Sequence, residues 1–90
     1  MKQDELKYPS REEIEQWMRE AEAGDAEAQY QLGICYANGY GVTIDQITAV
    51  EYFFDASEQD HPQALYQLGN VMEYIANIGP LQIVLSKQQS

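Results

Sequence analysis

The chain repeats itself. AEAQYQLGICY, from Ala26 to Tyr36, and PQALYQLGNVM, from Pro62 to Met72, coincide at Ala28 and Ala64, Tyr30 and Tyr66, Gln31 and Gln67, Leu32 and Leu68, and Gly33 and Gly69, an offset of 36 residues. Carried backwards, the same offset pairs Ile14 with Val50, Trp17 with Phe53, Met18 with Phe54 and Glu22 with Glu58. Self-similarity at such a period marks an architecture in which each unit buries its apolar face only against its neighbours. That requirement constrains the fold more than any other feature of the sequence.

Each period reads as two helices. Ala28, Leu32, Cys35 and Tyr36 fall at i, i+4, i+7 and i+8, one face of a helix. Asn38-Gly39-Tyr40-Gly41 stops that helix with residues that tolerate positive φ. Asp45 is a good N-cap for the next, which places Ala49, Val50, Phe53, Ala56 and Ser57 together. Glu58, Gln59 and Asp60 end it, and His61 with Pro62 opens the following helix. Upstream, Ser10 with Glu13 forms a capping box, Gly24 closes the first helix and Asp25 caps the second.

Glycine in a helix interior costs about 1 kcal/mol relative to alanine, yet Gly33 and Gly69 both sit there, beside Leu32 and Leu68. A missing side chain on the apolar side lets another helix approach closely. Both glycines are therefore expected to be packing devices, with Phe53 the natural occupant of the groove.

The pattern resembles the helical-hairpin repeats of the tetratricopeptide superfamily. The 36-residue period, the Leu-Gly pair, Tyr36, Gly39-Tyr40-Gly41-Val42, Asp45, Ala49 and the Ala56–His61 segment are more specifically similar to the Sel-one-like repeat. The signature is strong from Ala26 to His61. Elsewhere it weakens: Asp60 stands for a glycine, Met72 for a tyrosine, and the glycine turn after Tyr74 is missing. The resemblance implies an adaptor or scaffold that binds protein.

The expected fold is an all-α, short αα-hairpin solenoid of about four helices plus a short C-terminal helix. It forms one domain over 1–90, with a capping helix at 10–23, a complete repeat at 26–61 and a truncated repeat with tail at 62–90. The first helix carries Glu13 and Glu20 where the offset puts Ala49 and Ala56, as suits a cap that faces water. At the other end Leu81, Ile83, Val84 and Leu85 either fold back as the short helix, the reading we favour, or pair with another chain.

Charge narrows the partners. Fifteen acidic residues face five basic ones, and between Glu20 and Ser86 there is no lysine or arginine. Such a field repels nucleic acid and anionic membrane and attracts basic protein surfaces, although solubility alone accounts for it equally well. No apolar run approaches the roughly 18 residues that cross a bilayer. The polar start MKQDELKYPS is unlike a signal peptide, and the single cysteine allows no internal disulfide, so a cytoplasmic setting is expected.

Catalysis finds no support. Cys35 shares the apolar face with Ala28 and Leu32, and His61 is sufficiently explained as a cap, with no third group to orient a nucleophile–base pair. One histidine, one cysteine and scattered carboxylates match no metal signature. The Asn38–Val42 turn lacks the lysine and hydroxyl of a phosphate loop. Neither enzyme activity, metal nor cofactor is expected.

By position in related hairpin repeats, the resemblance implies a groove lined by Glu27, Tyr30, Ile34, Ala37 and Asn38 from one copy and Gln63, Tyr66, Asn70, Glu73 and Tyr74 from the next. Tyr30 and Ile34 lie off the Leu32–Tyr36 face, so they are expected outside the core. Exposed tyrosines edged by glutamates have the composition of a contact surface. The reading is a non-enzymatic interaction module that binds a basic protein or peptide, in its sharper form an inhibitor or immunity protein. The alternative is an assembly unit that dimerises through its apolar C-terminal segment.

Overall fold

The computed structural model describes residues 9–89, and side chains as far as Asn77. These residues form helices α1 (Arg11–Glu22), α2 (Ala26–Asn38), α3 (Gln46–Ser57) and α4 (Pro62–Gln89), with no strand among them. The all-α repeat architecture is therefore as the sequence implies.

Local chemistry sets the starts. In the capping box the Glu13 amide donates to Ser10 Oγ at 3.1 Å, and the Ser10 amide donates to Glu13 Oε1 at 3.0 Å. Asp25 and Asp45 accept from the amides of Ala28 and Thr48 at 2.8 and 3.2 Å. His61 does the same work for α4, its Nδ1 accepting from the Ala64 amide at 3.1 Å. α2 stops at Gly39, whose φ of 78° is left-handed and favours glycine. After α3 the offset puts Asp60, held at φ 62°, where Gly24, at φ 102°, follows α1.

Packing follows two seams. Ile14 and Ala21 of α1 meet Ala28 and Leu32 of α2, with Trp17, Val42 and Tyr52 against them. Ala49, Phe53 and Ala56 of α3 meet Ala64 and Val71 of α4, flanked by Tyr30, Ile34 and Ala37 of α2 and Leu68 and Ile75 of α4. Leu32 and Phe53 are the largest fully buried side chains, each worth about 1.5–3 kcal/mol of burial. A β-carbon on Gly33 would lie 2.5 Å from the Phe53 ring, so the glycine is what lets α3 seat against α2.

The turns also lock across one period. Gln29 is buried and donates from Nε2 to the Ala21 carbonyl at 3.2 Å. Gln59, from the turn after α3, donates to Gln29 Oε1 at 3.1 Å and to the Gly24 carbonyl at 2.9 Å. The buried amide is thereby satisfied at both ends.

Three expectations need correction. A β-carbon on Gly69 would meet nothing within 4 Å, so unlike Gly33 it receives no neighbour. The residue one period after Phe53 is Gln89, and it belongs to α4 itself. Tyr30 and Ile34, expected outside the core, are half-buried against the Phe53 cluster. A middle helix of a stack packs on both sides, and these residues form its second seam. Finally, the C-terminal segment does not fold back as a fifth helix: α4 runs unbroken for 28 residues. Ile75 and Asn77 stand where the offset from Gly39 and Gly41 calls for the left-handed turn, so nothing there reverses the chain. The side chains of Leu81, Ile83, Val84 and Leu85 lie outside the described residues.

Candidate partner-binding face

All but one of the ten residues expected to line a groove separate into three groups. Asn38, Asn70 and Tyr74 come together around an open cleft of about 200 Å³, with Ala37, Gln46, Gln67 and Val71 completing its wall. The end of α2, the start of α3 and the middle of α4 each supply part of it. Asn38 Nδ2 donates to the Ile34 carbonyl at 2.9 Å, and Gln46 Nε2 donates to the Ala37 carbonyl at 3.1 Å. These bonds hold two amides at the rim, while Gln67 and Asn70 line the α4 side. A cleft of carboxamides closed by a tyrosine suits the amide groups of an extended peptide, since each carboxamide both donates and accepts.

Glu27 and Tyr30 form a second group with His61. Glu27 Oε1 accepts from His61 Nε2 at 2.8 Å and its Oε2 accepts from Gln31 Nε2 at 2.8 Å. Because His61 Nδ1 already accepts from the Ala64 amide, the ring proton resides on Nε2 and points at Glu27. The Tyr30 ring stacks on the same imidazole, centroids 4.7 Å apart, and leans on Phe53 at 6.1 Å. The hydrogen bond from His61, then that from Gln31, holds the Glu27 carboxyl below the usual carboxylate range. Glu27 is thus engaged within the fold while remaining exposed.

The third group is Gln63, Tyr66 and Glu73, all exposed on α4. Tyr66 is 69% exposed and lies outside the cleft, whereas Tyr74, 52% exposed, closes it. Ile34 belongs to the packed seam beneath. The tyrosines therefore do not share one contact surface.

Sequence reasoning missed Gln46, Gln67 and His61 as contributors. Gln67 carried a signal, since its counterpart Gln31 is tied to Glu27 and the offset replaces Glu27 by Gln63. Gln46 carried none, because its reach to Ala37 depends on how the turn closes.

A larger hollow of about 330 Å³ lies elsewhere, lined by Met18, Ala21, Glu22, Gln29, Tyr52 and Asp55. Burial, then the nearby Tyr36, Asp55, Glu22 and Glu51, pushes the Tyr52 hydroxyl up. A phenol made less acidic among carboxylates is a poor base or nucleophile at neutral pH. Cys35 is buried, and desolvation, with Glu13 adding to it, raises its thiol as well. No group of three metal-binding side chains occurs among the described residues. No helix among them is long and apolar enough to cross a membrane.

Comparison with known proteins agrees with this architecture. Residues 26–61 match the family model of the Sel1 repeat. A stretch of 61 residues, 68% of the chain, is 38% identical to Protein SHC1 of Saccharomyces cerevisiae, in strain YJM789 and in strain ATCC 204508 / S288c. The matched stretch spans 12% of the length of these relatives. No solved structure matches the chain. Repeats of the Sel1 kind mediate protein–protein interaction.

Proposed function

We propose that this chain, a Sel1-like repeat protein with its repeat at residues 26–61, is a non-enzymatic module that binds an extended, basic peptide segment of a partner protein in the cleft between α2 and α4. The observation that carries the reading is the convergence of Asn38, Asn70 and Tyr74 with Gln46 and Gln67 on one hollow. Carboxamides pair with the peptide backbone of the ligand, and Tyr74 offers a flat apolar face to one side chain. Glu73, exposed beside Tyr74, and the surplus of ten acidic charges draw a basic partner and suppress acidic ones. An inhibitor or immunity protein shielding a basic enzyme is one form such a module takes.

The test is affinity capture of a partner by the tagged protein, washed at low and high salt, with Tyr74→Ala and Tyr66→Ala compared. Loss of the captured protein on Tyr74→Ala and at high salt, with Tyr66→Ala retaining it, supports the cleft. Equal retention by both variants rejects it.

A further inference from the structure

α2 and α4 present equivalent faces, and among the described residues only one is covered. On α2, Gly33 receives Phe53, Tyr36 stacks on Tyr52 with centroids 5.9 Å apart, and Gln29 is held by Gln59. All three covering residues come from α3 and the turn after it. One period on, the same positions of α4 are Leu65, Gly69 and Met72. Leu65 is 62% exposed, Met72 is 53% exposed, and Gly69 has open space around it. On α3, Phe54 is 50% exposed, and the offset relates it to Met18, which borders the same hollow as Gln29, the counterpart of Leu65. The substitution of Gln29 by Leu65 makes the uncovered face more apolar than the covered one.

We propose that this end of the stack, Leu65, Gly69 and Met72 together with Phe54, is a second docking surface. Its occupant is a helix of a partner protein that carries an aromatic residue flanked by small ones, in the spacing of Ala49, Phe53 and Ala56. The seat at Gly33 defines that occupant: Phe53 fills the glycine notch, and the alanines four before and three after it, both fully buried, let the helix lie flat. A second copy of this chain does not offer such a helix. Its Phe53 is fully buried, and α1, whose Trp17 holds the equivalent position, has Glu13 and Glu20 where the alanines must be. Desolvating two carboxylates against Leu65 and Met72 opposes that pairing. Nor does the C-terminal segment fill the seat, because α4 continues as helix through the residues that would have to turn back. The surface is distinct from the amide cleft, so one partner or two can engage the molecule.

The experiment is a titration of the full chain with a synthetic helix. The peptide has alanine, phenylalanine and alanine at the spacing of Ala49, Phe53 and Ala56, and lysine at the positions of Glu51, Asp55 and Glu58. Gly69→Leu fills the notch in the protein, and phenylalanine-to-alanine empties the peptide. We expect saturable binding that each change weakens by about tenfold or more while the helical content of the protein stays constant. Absence of binding, or equal binding by Gly69→Leu, overturns the proposal. So does a wild-type dimer that Gly69→Leu dissociates, which assigns the face to a second copy.

Discussion

Gly33 and Gly69 occupy the same motif but face different surroundings, and substitutions there should differ in sign. Alanine at Gly33 pushes a β-carbon into the fully buried Phe53 ring. Overpacking of that kind costs about 1–3 kcal/mol, more than the roughly 1 kcal/mol gained in helix propensity. Alanine at Gly69 meets open space and keeps the whole gain. In thermal unfolding Gly33→Ala should lower Tm and Gly69→Ala should raise it by about 4–8 °C. Asp60 is the other residue-scale test. Its φ of 62° strains an L-residue, and glycine relieves that strain at the cost of a more disordered unfolded chain. Asp60→Gly should stabilise by about 0.5 kcal/mol in urea unfolding, and Asp60→Ala should not.

At the scale of the element, the helix starts carry separable contributions. Asp25→Ala removes the acceptor for the Ala28 amide and should cost about 1 kcal/mol, read from the midpoint of denaturant unfolding. His61 does more than cap, since it also donates to Glu27 and stacks on Tyr30. His61→Asn preserves a cap and loses the rest, so it should cost about half as much as His61→Ala, which loses everything. Equal losses would show that the cap alone matters. The helix starts were legible because their chemistry is local: Ser10, Asp25, Asp45 and His61 each bond an amide three residues on. The course of α4 beyond Tyr74 was not: the missing glycine turn was legible, but not that the helix would run on in place of another reversal.

For the whole molecule, Asp45, lowered by its hydrogen bonds from Thr48, and Glu27 both feed the acid limb of stability, and the direction for Glu27 follows from its shift. Its folded carboxyl titrates below the unfolded one, so the stability it contributes is complete above the usual carboxylate range and disappears as pH falls through the lowered folded value. Plotted between about pH 6 and pH 3, unfolding free energy should fall less steeply for Glu27→Gln than for the wild type. Cys35 reports global opening. Buried and raised by desolvation, its thiol should react with iodoacetamide at neutral pH only as fast as the stack unfolds. Reaction at the rate of a free thiol would mean the structure opens locally around Cys35. By itself the sequence determined the period, the two helices within it, their caps, and the fit of Phe53 to Gly33, because all of these are written in residue type and spacing. Only the tertiary structure decided that Tyr30 and Ile34 pack while Tyr66 and Tyr74 stay exposed, that Gln46 reaches the cleft, and that Gly69 lies open. Matching copies of a motif are buried or bare according to whether a neighbouring helix arrives, and in a stack that neighbour is supplied from outside the motif.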